Sequence, residues 1–356
     1  MKVLEVISSL EPIGGGETFA VNISRSFHKK HELKVVILYQ KHTKMFIDRL
    51  DEAGIDYVFL NKKKHFDLKN ARELRKIISD FKPDYIHTEN NALIPTYLAL
   101  RKLPSKRRPP VFHTMHLAPS IECSQRIVRV LYTHIFKTGI ATPVAITESL
   151  AKESEDFYKL NNIPYVENGI DLSRIPTETI PLKKRNYDLV VVGRFSYPKN
   201  HEFLIRTFRE IKSKKPDFKP AFIGGGELFE QMKQLAIDLN CQFIEFLGTM
   251  PNPATILINT KIIALGSRFE ANPLSLLEGM ASGCIAVSSN VGGVGNIVKK
   301  DNGFLFELNN SNRFIEIVLE ILNNLSNFED MSKHNIEYAH RFSMDKCADK
   351  YIKLLK

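Results

Sequence analysis

The chain has 356 residues, 43% of them hydrophobic and 25% charged, which excludes a disordered or fibrous protein and exceeds what one core ordinarily organises. Its net charge of +10 favours anionic partners, while Cys123, Cys241, Cys284 and Cys347 are too dispersed for a metal knuckle or disulfide framework and read as reduced, buried thiols. No apolar run reaches the roughly 18–20 residues of a spanning helix, and "MKVLEVISSLEPIGGGE", interrupted by Glu5, does not read as a signal peptide.

In chain order, "KVLEVI", "LKVVILY", "DYVFL", "DYIHT" and "VFHTM" read as strands of a first half. "DLVVVG", "KPAFIG", "FIEFLG", "KIIALG" and "CIAVSS" do the same in the second. Between them, "DLKNARELRKIISDFK" and "NHEFLIRTFREIKSK" repeat apolar residues at three- and four-residue spacing, as helices do. The alternation predicts an α/β chain of parallel sheets covered on both faces, and its recurrence predicts two doubly wound domains. The joint falls in residues 168–186, proline-bearing and without apolar periodicity, giving domains at 1–172 and 173–342. A last helix follows within 343–356. "GGGE" occurs at Gly14–Glu17 and again at Gly224–Glu227, after the first strand of one half and the second of the other, so the match reads as coincidence.

Open parallel sheets bind ligands at the carboxyl ends of their strands. The loop carrying Gly14, Gly15 and Gly16 suits a phosphate at a helix start, but Phe19 stands where a dinucleotide fingerprint needs glycine. In "DLVVVGRFSYPKNHEF", Gly193 permits close backbone approach, Arg194 and Lys199 are cations for phosphate oxygens, and Asn200 is a helix cap. "SRFEANPLSLLEGMASG" places Glu270 before a helix that Asn272 would cap and Pro273 would open, with Glu278 a turn inside and Gly283 as the stop. A diphosphate at that N-terminus would leave Glu278 for a ribose diol and Glu270 for sugar hydroxyls, each pairing contributing roughly 1.5–3 kcal/mol. Between Glu89 and Glu122 the chain has no acid, while Arg101, Lys102, Lys106, Arg107 and Arg108 cluster. That segment suits anionic lipid or a phosphorylated acceptor better than nucleic acid, because it lacks interleaved aromatics.

Taken together, "GGGE", "HTMH", "ENGID", "VGRFSYPKN" and "FEANPLSLLEGMASG" resemble, in family order, the motifs of the retaining glycosyltransferases of family 4. The resemblance implies a GT-B fold, two Rossmann-like domains facing across a cleft, with acceptor on the first, nucleotide-sugar on the second, and the C-terminal helix returning to the first. It implies that Arg194 and Lys199 hold the diphosphate, Glu278 the ribose and Glu270 the donor sugar. Asn272, Pro273 and Leu274 would line the donor, Gly15 or Gly16 would approach the distal phosphate, and His116 would stand near the reaction centre, with His113 structural. It also implies a UDP- or GDP-sugar donor, no cofactor or metal, and a cytoplasmic protein peripheral on the inner membrane face. The acceptor would be a bacterial surface glycan or its lipid-linked precursor. Ala271, Asn296 and Gly266 depart from the family's usual residues. The rival readings are a GT-B phosphorylase or nucleotide-sugar epimerase, and a non-catalytic protein binding sugar nucleotide or anionic membrane.

Overall fold

Strands that are apolar on both faces need cover on both sides. In the computed structural model, which describes residues 1–11, 14–61 and 67–355, helices alternating with the strands supply it. The chain divides into Met1–Gly169 with Met344–Lys356, and Ile170–Ser343.

The first unit runs β1 (Lys2–Ile7), α1 (Gly15–His28), β2 (Glu32–Ile37), α2 (Lys44–Glu52), β3 (Asp56–Phe59), α3 (Leu68–Phe81) and β4 (Tyr85–Glu89). It continues through α4 (Leu93–Leu100), β5 (Val111–Met115), α5 (Pro119–Glu122), α6 (Arg126–Lys137), β6 (Thr142–Ala145) and α7 (Glu148–Tyr158). Its parallel strands stand in the order β3-β2-β1-β4-β5-β6. Val3, Leu4, Val6 and Ile7 are fully buried in β1, and so is Glu5, which the apolar pattern alone does not explain.

The second unit runs β7 (Tyr187–Val192), α8 (His201–Lys214), β8 (Pro220–Ile223), α9 (Phe229–Asp238), β9 (Glu245–Phe246), α10 (Ala254–Leu257) and β10 (Thr260–Leu265). Then come α11 (Leu274–Ala281), β11 (Ile285–Ser289), α12 (Val294–Ile297), β12 (Gly303–Phe306), α13 (Ser311–Asn323) and α14 (Glu329–Ala339). The strand order is β12-β11-β10-β7-β8-β9, again parallel. Its core is rich in phenylalanine, with Phe195, Phe208, Phe218, Phe222 and Phe314 all fully buried. His201 stacks on Phe195 at 4.0 Å and 11° within that core. Burial, reinforced by nearby Lys199, pushes its imidazole down to about 3, so it is a neutral core ring.

β6 and β12, which complete the sheets, lie outside the runs expected from sequence. Each has four residues, one containing Pro143 and the other opening on Gly303, too short and too broken for an apolar run. Part of the segment expected as a joint belongs to the second unit, where Leu182 is fully buried.

A final helix, α15 (Met344–Lys353), is part of the first unit and packs on α1. Asp345 accepts hydrogen bonds from Ser26 Oγ at 2.7 Å and Lys29 Nζ at 2.9 Å, and Lys30 donates to Asp349 at 2.7 Å. Tyr351 is buried, its hydroxyl 2.7 Å from Thr114 Oγ1 and its ring 4.7 Å from that of His87.

Candidate functional sites on the two sheets

In a doubly wound sheet the crevice opens where the strand order reverses, between β7 and β10 in the second unit and between β1 and β4 in the first. The loops after β7 and β10 carry Arg194, Lys199 and Glu270. Lys199 Nζ donates to Glu270 Oε1 at 2.6 Å, and Ser267 Oγ donates to the same oxygen at 2.6 Å. Glu270 is buried, whereas the Lys199 side chain keeps 25% exposure. The lysine stem runs over Gly193, where a Cβ would sit 3.6 Å from Lys199 Cδ, an ordinary packing contact.

Further bonds tie the two loops together. Arg268 donates through its backbone N–H to Pro198 O and through Nη1 to Tyr197 O, both at 2.7 Å, and its guanidinium covers the Tyr197 ring at 4.4 Å. Asn200 does not cap α8. It sits at the cap position in the left-handed region (φ 55°), and its amide donates to Gly266 O at 3.0 Å, bonding the loops instead. Gly292, at φ 52°, packs so closely that a Cβ would meet Glu270 O at 2.0 Å. The Gly293 N–H donates to that carbonyl at 2.8 Å.

α11 begins at Leu274 with Pro273 in the cap position, so Asn272 does not cap it. Proline offers no side-chain acceptor to the first-turn N–H groups of α11, of which that of Leu276 turns back to Pro273 O at 3.1 Å, so an anion here would meet those of Leu274 and Ser275. Asn272 Oδ1 is buried without a partner among the described residues. Glu278, the fifth helical residue, is half-buried on α11, and Gly283 ends the helix at φ 76° as its type predicts. Gly279 presses on β10, where a Cβ would meet Ile263 Cβ at 2.7 Å, so α11 sits close to the sheet.

Arg194 is more exposed and lies apart from the Lys199 pair. Its Nε and Nη2 both donate to Glu227 Oε2, at 3.1 and 3.0 Å. Glu227 closes the second "GGGE", whose glycines pack on the loop after β7. A Cβ at Gly224 would meet Gly193 O at 2.0 Å, and one at Gly226 would meet Phe195 O at 2.6 Å. The repeat is thus a packing device beside the loop after β7, and it follows β8, whereas the first "GGGE" follows β1.

On the first sheet, Gly15 and Gly16 open α1 after Gly14, an extended cap residue without a side-chain bond. Pro12 and Ile13 of this loop lie outside the described residues. Among the described residues a Cβ at Gly15 would meet nothing within 4 Å, whereas one at Gly16 would meet Asn90 Oδ1 at 3.0 Å. His116, just past β5, donates from Nε2 to Glu89 Oε2 at 2.6 Å, and Phe19 meets its ring edge-on at 5.2 Å. His113 is fully buried between Thr88 and Glu122, at 2.9 and 3.2 Å, consistent with a structural role.

Sequence reasoning missed the buried array behind His116. His87 Nδ1 lies 2.8 Å from Glu5 Oε2, and His87 Nε2 lies 2.7 Å from Thr114 Oγ1 and 3.4 Å from Glu89 Oε1. Burial raises the Glu5 carboxyl above the ordinary range, although His87 opposes it. The signal was present: Glu5 interrupts an apolar strand, and His87 and Glu89, two apart in β4, share a face. Ligating atoms of Glu5, His87 and Glu89 lie within 4.8 Å of one another, close enough for a shared cation, yet shared protons satisfy the same geometry.

In the basic segment Arg101, Lys102, Lys106 and Arg107 are exposed. Arg108 differs, because it donates to the carbonyls of Leu103 and Arg101 at 3.0 and 3.2 Å and so holds its own loop together. No helix among the described residues is long and apolar enough to cross a membrane.

The family model for glycosyl transferases group 1 matches residues 177–341, and that for Glycosyltransferase Family 4 matches residues 13–174. The chain is 24% identical to the O-antigen biosynthesis glycosyltransferase WbnH of Escherichia coli, over 99% of this chain and 98% of that one. It is 25% identical to the Escherichia coli UDP-Gal:alpha-D-GlcNAc-diphosphoundecaprenol alpha-1,3-galactosyltransferase, over 72% of this chain and 70% of the relative. Among solved structures, HepE of Anabaena in complex with UDP and glucose has a TM-score of 0.82 at 18% identity, covering 100% of this chain and 99% of its own. The lipopolysaccharide outer core galactosyltransferase WaaB has a TM-score of 0.71 at 19% identity, covering 99% of each chain.

Proposed function

The chain belongs to the family 4-type glycosyltransferases and has their GT-B fold, and from that premise we propose that it moves a sugar with retention from a nucleoside diphosphate-sugar to an acceptor hydroxyl. The acceptor is a glycan or lipid-linked precursor of the bacterial surface. The observation that carries the donor reading is the Lys199–Glu270 pair beside the open N-terminus of α11, at the strand-order switch of the second sheet.

That arrangement suits a diphosphate flanked by hydroxyls. Phosphate oxygens take the α11 N–H groups and the ammonium of Lys199, with Arg194 within the same loop. Glu278 accepts from the ribose diol and Glu270 from the sugar. In the reaction the acceptor oxygen bonds to the anomeric carbon on the face from which the diphosphate leaves. The anomeric carbon–oxygen bond breaks, and the acceptor proton passes to the departing phosphate. Lys199, Arg194 and the helix dipole stabilise the charge that develops there. The donor nucleotide is UDP or GDP; the solved HepE complex with UDP and glucose supports the first.

A second observation favours a peripheral, cytoplasmic-face location. α4, which leads into the basic segment, packs on α6, and Tyr97 and His134 meet at 6.1 Å. α6 has no acidic residue, carries Arg126, Arg129 and Lys137, and leaves Ile127 and Val130 about three-fifths exposed, at 59% and 61%. Apolar side chains among cations suit an anionic lipid surface.

The test is a thermal-shift screen against nucleotide sugars, followed by measurement of acceptor-dependent nucleotide release and of the product's anomeric configuration. Retained configuration with release of free nucleoside diphosphate is expected. Binding without hydrolysis or transfer would instead mark a binding protein. Release that requires inorganic phosphate, or isomerised donor without release, would mark a phosphorylase or an epimerase.

A further inference from the structure

Glu89 ends β4 fully buried, and a buried carboxylate needs a positive or hydrogen-bonding partner. Its Oε2 takes the Nε2–H of His116 at 2.6 Å. Its Oε1 has no hydrogen-bond partner among the described residues and faces His87 Nε2 at 3.4 Å. The imidazole of His116 is therefore tied down through one nitrogen and braced by the edge of Phe19. Its side chain keeps 12% exposure, and Nδ1 has no protein partner among the described residues.

We propose that Glu89 is a positioning residue that holds His116 as a fixed imidazolium, so that Nδ1–H is offered to a substrate oxygen. This rests on the reading of His116 as a site residue. Imidazole bonded through Nε2 to a carboxylate retains that proton, and the second proton on Nδ1 makes the ring a cationic donor. Such a donor suits a sugar hydroxyl or a phosphate oxygen, and a neutral ring with a bare Nδ1 would suit only a hydroxyl that donates.

The surroundings agree in sign. Burial is the largest influence on His116 and opposes its charge, but Glu89, with Glu122 on α5 and Glu17 on α1, outweighs it and raises the imidazole above its ordinary value. Behind Glu89 stand Glu5 on β1 and His87 on β4, paired at 2.8 Å, with Thr114 of β5 and Tyr351 of α15 closing the array. Cys347 on α15 is also buried beside it, its thiol pushed up to about 12 by burial. His113 is occupied by Thr88 and Glu122. Glu89 is thus the carboxylate bonded to His116, and the others act at longer range.

Glu89→Gln tests this directly, because the amide oxygen can still accept from Nε2 while the charge is gone. The His116 imidazole, assigned by its loss in His116→Asn, is titrated by NMR. The midpoint in Glu89→Gln is expected below that of the parent. Acceptor-dependent turnover is expected to fall about tenfold or more for the lost charge-assisted bond, with its pH optimum moved down and nucleoside diphosphate affinity unchanged. An unchanged midpoint overturns the proposal. Nitrogen shifts of the parent provide a reading that needs no variant: a neutral ring at pH 7 also overturns it. Should the parent show no transfer with any donor, the proposed function fails while the titration still decides the role of Glu89.

Discussion

Lys199 and Glu270, seventy-one positions apart, meet at 2.6 Å through a bond that the two assigned ligands, diphosphate and sugar, would each compete for. The two side chains form an ion pair in which Glu270 Oε1 is shared by Lys199 and Ser267, and on the proposed function the other oxygen would take a hydroxyl. Lys199→Ala removes the cation and leaves a buried carboxylate without its partner. Nucleoside diphosphate affinity should fall by roughly tenfold or more and turnover with it. Calorimetry and initial rates on the folded variant decide this, and unchanged values for both would remove Lys199 from the site.

The two glutamates should divide sugar from ribose. Glu278→Gln is expected to weaken bare nucleotide and intact donor by similar factors. Glu270→Gln should lower intact-donor affinity or turnover by about tenfold or more. Because Glu270 restrains Lys199, it should also change bare-nucleotide affinity slightly, by less than the Glu278 variant does. Four titrations settle the division, and equal losses of bare nucleotide in both variants would cancel it.

Arg194 points to an opposite effect. Glu227 pairs with its guanidinium, and both side chains are about half exposed. Glu227→Gln should release Arg194 and tighten nucleoside diphosphate binding by about twofold to fivefold, the scale of an exposed ion pair. The gain should shrink at high salt. Weaker binding in this variant would mean that Glu227 itself touches the ligand.

For the membrane surface, Arg107→Ser and the paired change Ile127→Ser with Val130→Ser should each reduce binding to anionic vesicles without altering nucleotide affinity. Arg108→Ser should act differently, loosening the loop whose carbonyls it holds and lowering the thermal midpoint. Co-sedimentation with anionic and neutral vesicles separates these outcomes. If the parent binds neither, both the basic segment and the α6 face are solvated surface.

The α1–α15 junction gives a pH dependence. Burial is the largest influence on Asp345 and would raise it, but hydrogen bonds from Ser26 and Lys29 outweigh burial and hold it below its ordinary value of 3.8. A depressed carboxyl stabilises the fold above that value, and the contribution disappears as pH falls through the folded value. Asp345→Asn should therefore lower the thermal midpoint at neutral pH, with the difference from the parent closing under more acid conditions. A difference independent of pH would assign the effect to packing.

Much of the fold was legible because long apolar runs alternate with helical periodicity, and the ten strands named from sequence all form. β6 and β12 were not legible, because four residues interrupted by proline or glycine carry no period. The strand–loop–helix pattern placed Arg194, Lys199 and Glu270 in loops after strands and Glu278 inside a helix, and that is where they stand. Asn200 and Asn272 were misread as caps because residue type favours the cap, whereas the loops here need Asn200 to reach across to Gly266. Glu227 was passed over because its pairing depends on the β8 loop folding back on the β7 loop, a tertiary fact with no local signature. Glu89 and Glu5 sit in strands, where polar residues usually mark an exposed face, and only the cover supplied by α1 and α15 reveals them as buried.

α15 has a consequence for synthesis. The residues that close the first unit over Thr114 and His87 are encoded after the entire second unit. A chain still on the ribosome can complete its second sheet while Glu5, His87 and Glu89 remain without the cover of Tyr351. Synthesis normally favours domains that fold in order of emergence. Here the earlier-made half must wait, with polar groups in an unfinished interior, until α15 has left the tunnel. The order of assembly is thus reversed: the half made first is the half finished last.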